Sequence, residues 1–359
     1  MTTSSGRPPV RISTPAGLLA VIPFLLGFTP TDSLVVIGSA NPLGRIRVAL
    51  RYDLPDPPDA ELAGEIAAHA TAVLARQHAT SAVITGYGPG RLVTPVADAV
   101  RQAAARTGVI LRDVLRVEGG RYWSYLCREP SCCPSDGVPF DAAGHPAARL
   151  LTGVGLAVLS GRAELAATIA PVTGAEAEAM AEATRRAERA GTRLIAGGGP
   201  AALDAPGLAA VRSAIEVYRR GGSVTAAVGH AWLALVLTRL RIRDDAWARM
   251  DPAHHREHGR LWTGLVRRAQ PGYVAAPACL LAVTAWQGGD GALANVALDR
   301  ALADHPGYSM ALLLRDALAS GVPPSAAAPP MTPEEVADSY APPGDAEDPP
   351  GPAGHVTGT

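Results

Sequence analysis

Lysine is missing from this chain of 359 residues, and all 32 basic residues are arginine. The absence points to codon bias in a GC-rich bacterial genome, and it removes several chemistries. A Walker A loop needs a lysine on its phosphates, pyridoxal phosphate needs a Schiff-base lysine, and a protein kinase needs a lysine on a β-strand. Arginine stays charged at any working pH, so it clamps anions and does not serve as a general base. Aromatic residues are scarce at 4%, and charged residues make up 18% against 48% hydrophobic, a globular balance with alanine-rich, closely packed helices. The formal net charge of -1 supplies no field for a duplex or an anionic membrane, so neither a nucleic-acid nor a membrane partner is expected. Four cysteines in a chain of this length do not make a disulfide scaffold. The apolar run from Ala16 to Phe28 follows Arg7 and Arg11 in the manner of a signal peptide. Pro23 interrupts it, no small-residue cleavage site follows, and it is too short to span a bilayer. It reads as a buried helix of a cytoplasmic protein.

What is present divides the chain in two. Ser13-Thr14-Pro15 predicts a capped helix start with proline in the first turn, and Gly27 its end. Ser33 to Gly38 is a short continuous apolar run, as a sheet-core strand requires, and Ile46 to Tyr52 alternates apolar residues with arginine. The turn Asn41-Pro42-Leu43-Gly44 separates them. A helix capped by Asp59, a strand from Ser81, a helix from Arg91 and two strands meeting at Gly119-Gly120 follow. The expected fold class is therefore α/β, a mixed sheet with flanking helices, followed by an all-α, helical-repeat-like segment. The boundaries read as a disordered N-terminus over 1–12, the α/β domain with trailing helices over 13–196, and a linker over 197–206. A helical region follows over 207–320 and a disordered tail over 321–359. Thr173 with Glu176 predicts a capping box. Between Ala278 and Pro306, alanines at 282, 294 and 301 let two helices touch and Gly289 makes their turn, the layout of a tetratricopeptide repeat.

Three stretches together carry a further resemblance: LLAVIPFLLGFTPTDSLVVIG (Leu18 to Gly38), YWSYLCREPSCCP (Tyr122 to Pro134) and AWQGGDGALANVALDRALADHPGYS (Ala285 to Ser309). They resemble the actinobacterial domain of unknown function 4192 family over about residues 13 to 320. That resemblance implies a layout and no mechanism.

Three constellations bear on chemistry. Cys127, Cys132 and Cys133 fall within one loop beside aromatic residues; they are candidate metal ligands, with zinc the cofactor and His145 or Asp136 available to complete the set. The C-x4-C-C spacing is unlike the usual paired ligands, and adjacent cysteines point in different directions, so small buried hydrophobes are the competing reading. Gly86, Gly88, Gly90 and Arg91 follow a strand and open a helix, a candidate nucleotide- or phosphate-binding turn in which Pro89 removes one donor. His254-His255-Arg256-Glu257-His258 satisfies H-x-x-E-H, but with no third ligand in view it reads as a solvated histidine-rich turn. Ser33 and Ser124 lack the context of a hydrolase elbow, and the tryptophans Trp232, Trp247, Trp262 and Trp286 read as packing residues.

Two functions follow as expectations. The first is a binding or scaffolding protein that offers the helical-repeat surface to a protein or peptide partner. The alternative is a metal-dependent or thiol-based enzyme or sensor centred on Cys127 to Cys133.

Overall fold

The computed structural model describes residues 12–40, 45–327, 329 and 331–341. The expected disorder over 1–11 and 342–359 and the turn at 41–44 lie outside the described residues.

Helix α1 (Pro15–Leu26) starts as the sequence predicts. The Thr14 hydroxyl accepts from the Gly17 N–H, and Gly27 closes the helix in the left-handed conformation at φ 77°. Strands β1 (Ser33–Ala40) and β2 (Arg45–Asp53) form an antiparallel pair, α2 (Ala60–Arg76) is capped by Asp59, and β3 (Ser81–Tyr87) leads into α3 (Gly90–Thr107). Then come β4 (Ile110–Glu118), β5 (Arg121–Ser124), the short β6 (Val138–Pro139), α4 (Pro146–Gly153) and α5 (Arg162–Thr168). The six strands run in the order β2-β1-β3-β4-β5-β6. Only β3 and β4 are parallel, joined by α3, so the sheet is mixed.

The first six residues of β1 are buried, which places protein against both of its faces. On one face Leu34, Val36, Ile84 and Val114 pack against Ile66, Leu74, Val96 and Val100 of α2 and α3. Gly86 has a steric reason: a Cβ there would run into the Val93 side chain, so β3 and α3 meet at a distance only glycine permits.

The remaining described residues are mostly helical: α6 (Gly174–Gly198), α7 (Asp204–Arg219), α8 (Ala227–Val236), α9 (Leu240–Ala248), α10 (His255–Arg268), α11 (Ala275–Gln287), α12 (Gly291–Asp304), α13 (Ser309–Ala319) and α14 (Pro333–Ser339). Gly289 makes the α11–α12 turn at φ 79°, and Asp290 caps α12 by accepting from Leu293 N–H. Among the described residues no helix is long and apolar enough to cross a membrane.

The chain separates into two compact units, and the division differs from the one the composition suggests. One unit comprises Met1–Pro171 and Leu281–Ala327; the other comprises Val172–Leu280 and Ala328–Thr359. The Gly-Gly-Gly-Pro stretch is a corner inside the second unit. Helix α6 runs through Gly198, Gly199 turns at φ 68°, and Leu203 on the short 3-10 turn that follows is buried. The Thr173 capping box is not made, because Glu176 is drawn to Arg268 at 2.7 Å and no side chain caps α6. The tail expected from residue 321 carries α14, where Thr332 and Glu335 form a reciprocal capping box and Val336 is buried.

The second unit is held by a buried carboxylate. Asp245 on α9 is 3% exposed and accepts from Arg212 (2.6 and 3.0 Å) and Arg249 (2.8 and 3.2 Å). Burial alone would raise its pKa; the two guanidiniums outweigh burial and leave it below the usual carboxylate value. Asp245→Ala leaves two guanidiniums competing for water and is expected to cost about 3 kcal/mol in urea unfolding at pH 7. Because the folded pKa is depressed, this stability is present above the unfolded value of about 3.9 and is lost as pH falls through the folded one. The gap between wild type and variant therefore narrows only in acid, and a gap unchanged between pH 7 and pH 3 would contradict this account.

Candidate metal centre

The loop after β5 is shaped before any ligand is considered. Ser124 ends β5 and its hydroxyl donates to Asp113 on β4 at 2.6 Å, while the N–H groups of Leu126 (3.2 Å) and Cys127 (3.1 Å) donate back to it. That is a side-chain turn, the local alternative to a strand that serine offers. The chain then coils tightly, with the Cys132 and Cys133 N–H groups both donating to the Glu129 carbonyl, at 3.1 and 2.8 Å. The far end of the loop is pinned from β5. Arg121 donates to the Asp136 and Gly137 carbonyls and to the Asp136 carboxylate, and Trp123 Nε1 donates to the Ser135 carbonyl at 3.1 Å. Arg116 stacks on Trp123, its guanidinium carbon 3.8 Å from the ring centre.

The tight coil brings the three cysteines to one point. Their sulfurs all lie within 4.8 Å of one another, with Cys132 exposed and the other two half-buried. The sulfurs of the adjacent pair stand 3.9 Å apart. The expectation that neighbouring cysteines diverge therefore fails here, because the shared Glu129 carbonyl folds both residues into one turn. Among the described residues this is the single group of three ligating side chains that converges. The residues expected to complete it are engaged elsewhere. His145 caps α4 by accepting from Ala147 N–H at 3.2 Å, and Asp136 pairs with Arg121 at 3.0 Å.

Cys127 and Cys133 differ. The Glu129 N–H, followed by the Cys133 thiol, donates to the Cys127 sulfur and lowers its pKa. Cys133, whose S–H donates a hydrogen bond to the Cys127 sulfur and which is partly desolvated, is pushed up to about 12. Of this pair, Cys127 is the thiol that ionises more readily.

The glycine turn stands apart from this centre. Cys127 follows the end of β5 beside Asp113 near the start of β4, whereas Gly86 pairs with Arg116 toward the other end of that strand. Arg91 pairs with Asp56 at 2.9 and 3.2 Å in an exposed ion pair, and the Asp32 carboxylate lies beside Gly88. Of the H-x-x-E-H residues, His254 precedes α10 and pairs with Asp251 at 3.0 Å. His258 is buried and accepts from the Asp251 N–H, and burial lowers its pKa to about 4. Asp113 and Glu129 are the residues sequence reasoning missed, and it weighed Ser124 only as a nucleophile. The one signal was a serine closing a strand three residues before a cysteine.

The chain belongs to the family described as Domain of unknown function (DUF4192), whose model matches residues 15–325. No curated protein and no solved structure matches it.

Alkylation with iodoacetamide, mapped by mass spectrometry across pH, is expected to label Cys127 before Cys133, with a midpoint for Cys127 below that of an ordinary thiol near 8.5. Equal labelling of the two at every pH would show that the hydrogen bonds to Cys127 do not set its reactivity.

Proposed function

We propose that this family member holds a soft metal ion on Cys127, Cys132 and Cys133, and that zinc is the ion the donor set fits. The observation that carries the reading is the convergence of three sulfurs within 4.8 Å of one another. Zinc binds thiolate at about 2.3 Å, so sulfurs on a tetrahedral ion stand about 3.8 Å apart. The adjacent pair is already at 3.9 Å, and Cys127 needs only a small closing movement. With three protein ligands the fourth position is open to water, a small thiol or a partner's side chain. Three thiolates put three negative charges on one divalent ion and blunt its Lewis acidity. The centre therefore suits reversible capture, a metal or thiol sensor, better than hydrolysis. Ser124 and Asp113 orient the loop that carries the ligands. A compartment that keeps all three thiols reduced, the cytoplasm, is where such a centre works.

The second reading is a protein- or peptide-binding protein, in which α11 and α12 serve as a tetratricopeptide-like hairpin. It is favoured by Leu313 on α13, which is 70% exposed beside Leu312, an apolar pair open to a partner.

Protein purified without an affinity tag is expected to carry about one zinc per chain by elemental analysis, and to lose thermal stability in chelator. Cobalt substitution should give a thiolate-to-metal absorption band that disappears in Cys127→Ser and Cys133→Ser. Ser124→Ala should weaken metal affinity about 10- to 100-fold while leaving the band's shape. Metal-free protein whose melting ignores both zinc and chelator would end the metal reading.

A further inference from the structure

The free edge of β2 carries an inference independent of the cysteines. β2 pairs with β1 along one side only, because it is the outermost strand of the sheet. Its other side opens on a cavity of about 540 Å³, lined by every residue from Ile46 to Asp53 and walled by Phe28, Trp286, Asn295 and the stretch around Pro323. All of these lie within one compact unit.

The ladder says which backbone groups face that cavity. Leu54 N–H donates to the Asp32 carbonyl at 2.9 Å, and this pair continues the register in which Ser33 faces Asp53 and Leu34 faces Tyr52. In an antiparallel pair, hydrogen-bonded and non-hydrogen-bonded positions alternate. Tyr52, Leu50 and Val48 therefore bond to β1, and Ala49, Arg51 and Asp53 turn their N–H and C=O groups outward. Among the described residues these outward groups have no backbone partner. They recur every second residue, about 6.8 Å apart. A row of alternating donors and acceptors at that repeat matches another extended chain, and does not match a compact small molecule.

Charge identifies the chain that would fit. The register slips at Arg47, the extra residue of a bulge opposite Gly38 and Ser39, so Arg45 and Arg51 lie on opposite faces of β2, while Arg47, Arg51 and Arg162 line the cavity. Arg51 pairs with Asp53 and Arg162 with Asp299, both at 2.6 Å, but neither Arg45 nor Arg47 has an ion-pair partner among the described residues. Opposite charges across adjacent strands attract, and like charges repel. We propose that the β2 edge binds an extended acidic segment of a partner protein as an added strand, with a carboxylate facing Arg47, the cavity-lining arginine that has no ion-pair partner among the described residues.

The probe is a labelled peptide alternating glutamate with valine, followed by fluorescence anisotropy on the full chain. Saturable binding that weakens with salt is expected. Arg47→Glu should weaken it about tenfold. Ala49→Pro removes an outward N–H and no ladder bond, a position where an edge strand accepts proline, and should abolish binding with little change in melting. The same peptide N-methylated at alternate residues should not bind the wild-type protein, a test that holds even if the proline variant misfolds. No binding of the acidic peptide would overturn the proposal. So would equal binding of a lysine–valine peptide, or undiminished binding of the N-methylated one.

Discussion

Everything in the sheet-bearing unit depends on β1 being satisfied in all four directions. It is hydrogen-bonded to β2 on one side and β3 on the other, and its first six residues are buried, so protein covers both its faces. A strand so enclosed has little use for polar side chains, which is why LVVIG is continuously apolar while its neighbour alternates, and the buried Ser33 that precedes it donates its hydroxyl to the Thr31 carbonyl. Placing β1 second in the sheet, beside the edge, has two consequences. It leaves β2 as an edge, with half of its backbone groups unpaired on one side. It also hands the chain through β3 and β4 to β5, where the sheet runs out and the cysteine loop begins.

The cysteine loop solves a geometric problem that adjacency creates. Consecutive residues normally direct their side chains apart, and two neighbouring cysteines in an extended segment would not share an ion. The Glu129 carbonyl accepts from both Cys132 and Cys133, so the backbone there coils and the sulfurs come within reach of each other and of Cys127. The Asp113–Ser124 hydrogen bond sets where that coil starts. The result is an asymmetric trio, in which one thiol gives up its proton readily and another keeps it.

Much of the local structure was legible because its causes are local. Thr14 and Asp59 cap their helices, Gly27 and Gly289 adopt positive φ at ends and turns, and Gly119-Gly120 closes a hairpin, all from chemistry within a few residues. The capping box at Thr332 and Glu335 has an equally local cause, and it sits in a proline- and acid-rich stretch whose composition alone resembles a disordered tail. Thr173 with Glu176 shows the opposite outcome: the same pattern yields to an ion pair with Arg268, a residue distant in sequence. Gly197-Gly198-Gly199-Pro200 looked like a linker for a similar reason. Glycine marks a change of direction, and whether the chain stays in the same unit depends on whether Leu203 finds a core, which it does.

By itself the sequence determined the secondary elements, the mixed α/β and helical composition of the two parts, and the chemistries that an absence of lysine forbids. Those properties rest on side-chain volume, periodicity and capping, which act over one or two turns of chain. Only the tertiary structure decided that residues 281–327 join the sheet-bearing unit, that three sulfurs meet at one point, and that Arg91 is answered by Asp56. Each of those outcomes depends on contacts between residues that are separated along the chain or brought round by a turn whose hydrogen bonds no spacing rule encodes. The missing lysine removed whole mechanisms, and the folding of one cysteine-bearing loop brought three sulfurs together.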